Sequence, residues 1–145
     1  MGYEKEIILF KNVKSVDFSV LNLLENLDNS NWKITLLIID RGENFNWIKA
    51  KNKIDFLEIL NDKITKNEYI GFTLKHQEKE KFLTVNVGDH KIRFCLDINR
   101  NENELDWFSW YYRQIELQLK PIIEKVEWRS GYDNSLIKLI NYKNK

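Results

Sequence analysis

Residues 68–98, EYIGFTLKHQEKEKFLTVNVGDHKIRFCLDI, constrain the fold more than any other stretch of the chain. Three runs of alternating apolar residues are separated by two turn signals, so three consecutive antiparallel strands are expected. Gly88-Asp89 fits a two-residue hairpin turn with glycine first. Counting outward from it sets Val87 opposite His90, Val85 opposite Ile92 and Leu83 opposite Phe94. Residues 77–80 (QEKE) are a polar connection of suitable length for the other hairpin. With His76 opposite Lys81, Leu74 meets Leu83, Phe72 meets Val85 and Ile70 meets Val87. Both registers put Ile70, Phe72, Leu74, Leu83, Val85, Val87, Ile92, Phe94, Leu96 and Ile98 on one face, because side chains alternate along a strand. A sheet with one strongly apolar face calls for a layer of helices against it.

The flanking sequence supplies candidates for that layer. Residues 6–10 (EIILF) read as a short strand, and residues 15–29 as a helix with Val16, Val20, Leu23, Leu24 and Leu27 on one stripe and Ser15 or Asp17 as cap. Residues 32–40 (WKITLLIID) become apolar on both faces, as a central strand does. Strand, helix and strand at this spacing predict a crossover with the first two strands parallel. Residues 41–51 read as a packed loop or short edge strand. A second helix is expected over 52–64, capped by Asn52. A third runs from Glu104 to about Leu119, with Asn101 and Glu104 forming a capping box. Pro121 ends or kinks it, residues 122–128 are a strand or a kinked continuation and lean to a strand, and residues 135–142 suggest a short terminal helix. No repeat or linker divides the chain, so residues 1–145 are expected to form a single α+β domain. Its sheet is expected to be mixed, with about five or six strands, the 68–98 meander and a β-α-β N-terminal half, covered by three main helices.

Composition narrows the function. The 43% hydrophobic and 13% aromatic content argue for a folded core. A formal net charge of +1 gives no global field toward nucleic acid or an anionic membrane. No secretory signal or membrane-length apolar run is visible, and with one cysteine no internal disulfide can form, so a cytoplasmic location is expected. The two histidines, His76 and His90, sit about six strand residues apart, roughly 20 Å at ~3.3 Å per residue, too far to share a metal. Cys95 faces away from His76, and no GxSxG, GxGxxG or Walker-type loop occurs. No catalytic residue, metal or cofactor is therefore assigned, and nucleic acid is not an expected partner.

The excess that remains is acidic and aromatic. In the third helix Phe108, Tyr111, Tyr112, Ile115 and Leu119 make one stripe, enough to cover a sheet, while Trp107, Trp110 and Leu117 fall on another. Tryptophans beside Glu104 and Asp106 have the chemistry of protein–protein contacts, and Glu127, Trp128 and Asp133 form a second such group.

In its size, its α+β meander set against helices, its lack of catalytic motifs, and the segments NENELDWFSWYY (101–112) and VEWRSGYD (126–133), the chain resembles small immunity proteins of bacterial toxin–immunity pairs, including contact-dependent and polymorphic toxin systems. The resemblance implies a cytoplasmic bacterial protein that binds a cognate toxin and blocks it by occlusion. Glu104, Asp106, Trp107, Trp110, Glu127, Trp128 and Asp133 are the candidate contacts. The alternative is a small-ligand or nucleotide-binding sensor domain, or an enzyme of unfamiliar type, with its pocket between the sheet and residues 41–51. Trp107 and Trp110 discriminate ridge from core. As a contact ridge, Trp107→Ala with Trp110→Ala abolishes partner binding and leaves the melting temperature little changed; as core, the melting temperature falls as well.

Overall fold

The computed structural model describes residues 5–11, 20–28, 30–39, 47–88, 90–99, 101–119 and 123–142. In chain order these form β1 (Lys5–Lys11), α1 (Val20–Asp28), β2 (Trp32–Ile39), β3 (Trp47–Lys49), α2 (Lys53–Thr65), β4 (Ile70–His76), β5 (Phe82–Val87), β6 (Lys91–Leu96), α3 (Glu104–Leu119), β7 (Ile123–Ser130) and β8 (Ser135–Asn141). The strands make one eight-stranded sheet in the order β3-β2-β4-β5-β6-β1-β7-β8.

In the β4–β5 hairpin Ile70 lies opposite Val87, Phe72 opposite Val85 and Leu74 opposite Leu83. The N–H of His76 donates to the Lys81 carbonyl at 2.8 Å. These are the pairs obtained by counting from residues 77–80. The β5–β6 register differs from the count: Val87 meets Ile92, Val85 meets Phe94 and Leu83 meets Leu96. Gly88 is not a turn residue but half of the closing pair, its N–H donating to the Lys91 carbonyl at 2.9 Å. A Cβ on Gly88 would lie 3.2 Å from that carbonyl oxygen, so glycine serves close backbone approach here. Each partner moves by two residues, an even step that leaves every side chain on its original face.

Larger corrections concern topology. Every strand pair is antiparallel, so the sheet is not mixed, and it has eight strands where five or six were expected. β1 and β2 are not neighbours. β1 lies between β6 and β7, where Ile7 and Leu9 join the core and Ile8, on the other face, is only 3% exposed. A strand apolar on both faces is stable in the middle of a sheet, and EIILF takes that place. Four antiparallel steps separate β2 from β1, so the two point the same way without touching. The terminal helix expected over residues 135–142 is strand β8. Leu136, Ile137, Leu139 and Ile140 satisfy helical and strand periods alike, and pairing with β7 through the Gly131–Asn134 turn decides between them.

The helices follow local signals. Asn52 caps α2, its side chain accepting from the Asp55 N–H at 2.9 Å. α3 is capped by Asn103, whose Oδ1 accepts from the Asp106 N–H at 3.2 Å, and not by Asn101. The sequence offers two overlapping Asn-x-x-acid frames, and the structure uses the second. The caps expected for α1, Ser15 and Asp17, lie outside the described residues. Leu23, Leu24 and Leu27 of α1, Phe56 and Leu60 of α2, and Phe108, Tyr111 and Ile115 of α3 share one buried cluster with Ile7, Phe72, Leu74, Leu83, Val85 and Phe94 of the sheet. β2 carries a bulge between Ile34 and Ile38, with Leu36 at φ 68°. A bulky residue there is strained, and it makes the edge hydrogen bond from the Ala50 N–H at 2.7 Å.

Phe94 is fully buried at the centre of this cluster, whereas Leu139 is about half exposed on β8. Phe94→Ala is expected to cost about 3–5 kcal/mol and Leu139→Ala less than about 0.5 kcal/mol, read from urea unfolding midpoints. Equal effects would contradict the placement of the core.

Candidate functional site

The two acidic–aromatic segments converge. Phe108 of α3 stacks on Trp128 of β7, with centroids 5.4 Å apart and rings 19° from parallel, and Tyr112 meets the same indole at 5.7 Å. At the start of α3, Glu104 accepts a hydrogen bond from the Ser130 hydroxyl and lies 3.9 Å from the Lys5 ammonium. The first turn of α3 thus sits beside the base of the β7–β8 turn.

Most of the expected contact residues are engaged inside the molecule. Trp128 is 3% exposed, and the Lys138 ammonium lies 4.7 Å from its ring centroid. Glu127 accepts from Arg129 Nε at 2.9 Å and lies 3.5 Å from Lys125 Nζ. Burial acts to raise the Glu127 carboxyl, but Arg129 and Lys125 outweigh it and hold it below the usual range. Trp107 and Trp110 are half-buried and pack against the core cluster. Asp106 and Asp133 are exposed. The Ser135 hydroxyl holds the Asp133 carboxyl below its ordinary value.

Trp107 and Trp110 belong to an aromatic junction at one end of the sheet. Trp110 lies 5.0 Å from the His76 ring, 5.7 Å from Trp32 and 4.9 Å from Tyr111. Trp32 is fully buried and meets His76 edge-on at 5.0 Å. Lys81, only 6% exposed, puts its ammonium 4.5 Å from the Trp107 ring centroid, donates to the Asp97 carbonyl at 2.8 Å and pairs with Glu102. The Lys81 hydrogen bond, with help from the Asn99 N–H, lowers the Glu102 carboxyl. Sequence reading did not single out Lys81, because its partners come from distant segments. The only local sign is its place directly opposite His76.

The exposed apolar residues lie elsewhere. Along β8, Leu136, Ile137 and Leu139 are 46%, 39% and 51% exposed, and Tyr132 in the preceding turn is 72% exposed. Among the described residues β8 has a strand on one side only. Its end is tied back to α3 through Tyr142, which donates to Glu116 and bonds the Tyr112 hydroxyl. β8 is thus a held strand, not a loose tail. Of the segment 41–51, beside which a pocket is the alternative expectation, residues 41–46 lie outside those described.

Cys95 pairs with Glu6 and Thr84 on the sheet face opposite Phe94, and its sulfur receives the Asn86 amide at 3.7 Å. Among the described residues, no three or more His, Cys, Asp and Glu side chains gather as metal ligands would. None of the described helices is long and apolar enough to cross a membrane. Comparison of the chain with protein-family models, with curated proteins and with solved structures gives no match.

His76 gives this junction a pH dependence. Its Nδ1 accepts the Lys79 N–H at 3.1 Å, so the neutral ring carries its proton on Nε2. Burial pushes its pKa below 6.5; Glu78 opposes that weakly and Lys79 adds to it. The unfolded chain therefore binds the proton more readily, and stability is lost as pH falls below about 6.5. Thermal melts from pH 7.5 to 5 should show this slope, and His76→Gln should flatten it. An unchanged slope in the variant would mean that His76 is not its source.

Proposed function

We propose that the chain is a non-enzymatic protein-binding inhibitor, an immunity protein that neutralises a cognate bacterial toxin by occlusion. Its contact surface is formed by β8 and the β7–β8 turn, with Asp133 in that turn. The observation that carries this reading is the exposed apolar edge: Leu136, Ile137 and Leu139 face solvent on a seven-residue strand that, among the described residues, ends the sheet. An edge strand of this length and character is costly to leave bare, since its unpaired amides and apolar side chains invite other chains. Natural folds shorten or charge such edges; the opposite edge, β3, is only three residues long. β8 keeps a single lysine, Lys138, and that side chain lies over Trp128. Strand addition or packing against β8 gives a partner main-chain hydrogen bonds and apolar pockets together.

Of the acidic–aromatic residues, Asp106 and Asp133 are exposed, and Tyr132 offers a large amphipathic ring in the turn that precedes β8. Glu104, Glu127 and Trp128 act behind the surface. They fix the turn through Ser130, Arg129 and Phe108.

The test is co-expression with the product of the reading frame next to this one in the host genome, where a toxin domain is expected. The native chain should restore growth of the host. Leu136→Lys with Leu139→Glu should abolish rescue and weaken binding at least tenfold, about 1.4 kcal/mol, with the melting temperature held. Failure of the native chain to rescue overturns the function. Full rescue by the double variant overturns the assignment of the surface.

A further inference from the structure

α1 and α2 both pack on β2 and run in opposite directions. Lys53 at the start of α2 lies 3.4 Å from Asp28 at the end of α1, while Leu21 near the start of α1 faces Asn61. Between them is an open channel of about 660 Å³. Its walls and floor are apolar: Leu21 and Leu24 on α1, Ile54 and Leu57 on α2, and Ile34 of β2 beneath. Ile54 is 71% exposed, far more than a lone surface isoleucine needs to be. The rim is acidic, carrying Glu25, Asp28 and Glu58. The one lysine on it, Lys53, already reaches Asp28.

We propose that this channel receives an amphipathic helix of a partner protein, with an apolar stripe flanked by lysine or arginine. From Lys53 to Asn61 the α2 wall runs about 12 Å at ~1.5 Å per residue, and helical anchors at i and i+7 stand about 10.5 Å apart. A helix brings i, i+3 or i+4 and i+7 onto one side, whereas a strand of equal length turns half its side chains away. The acidic rim selects a basic flank. A second copy of this chain does not fit, because α2 and α3 open with Asp55, Glu104 and Asp106 and would bring like charge to the rim. The channel lies against β2, next to one edge of the sheet, and β8 forms the other edge. This site is therefore separate from the surface proposed above, and each can fail without the other.

The experiment uses the full chain and two 15-residue fluorescein-labelled peptides. Both have a leucine stripe at helical spacing; one has lysine flanks and the other glutamate flanks. Fluorescence anisotropy should show saturable binding of the lysine peptide, with the glutamate peptide at least tenfold weaker. Glu25→Lys with Glu58→Lys should reverse that preference, and Ile54→Lys should remove binding of the lysine peptide. All three side chains are exposed, so circular dichroism and melting should be unchanged. Absence of saturable binding, equal binding of both peptides, or unchanged binding by the Ile54→Lys chain overturns the proposal. A concentration-dependent dimer abolished by Ile54→Lys also overturns it, by assigning the channel to a second copy.

Discussion

Tyr111 fixes α3 to the sheet, and the surroundings of α3 follow from that attachment. Its ring is fully buried and stacks on Trp32 at 6.0 Å. Its hydroxyl donates to the Phe82 carbonyl at 2.7 Å and accepts from the Asp97 N–H at 3.3 Å, joining the helix to β5 and to the segment that leaves β6. Burial drives the phenol far above its ordinary pKa, so it keeps the proton that it donates to the Phe82 carbonyl. With this turn pinned, helical geometry determines the rest. Phe108 faces Trp128, Tyr112 faces Tyr142, and Trp107 and Trp110 are carried over Lys81 and His76.

The polar side chains of the molecule are largely spent on such joints. On the sheet face away from the core, Arg93 pairs with Glu6 at 2.8 Å, and the Thr73 and Thr84 hydroxyls lie 3.3 Å apart. Thr35 donates to the Thr73 carbonyl at 2.9 Å. These contacts knit neighbouring strands across that face.

What could be read from the sequence was the local part. Alternation over residues 68–98 located three strands and their buried face, and the QEKE turn located one register by counting. The Gly88 register slipped because a glycine can be needed at the closing pair as well as within the turn, and composition does not separate the two uses. β8 was read as a helix because its apolar residues satisfy both periods; an edge strand has little burial to break the tie. The neighbours of β1 were missed for a different reason. Periodicity describes a strand's faces, not which strand lies beside it, and both of its partners are far along the chain. In the same way, the half-buried state of Trp107 and Trp110 depends on Lys81, His76 and Trp32, which no helical stripe can reveal.

The position of β1 also bears on how the protein is made. It is translated before both of its neighbours, Lys91–Leu96 and Ile123–Ser130. Translation must pass Ser130 before both flanks of EIILF can be covered. Until then an apolar strand with two open edges waits in the nascent polypeptide, a state prone to pairing with the wrong chain. Closure of the sheet around β1 is thus a long-range event, and a chain truncated before Ile123 leaves this interior strand as an edge.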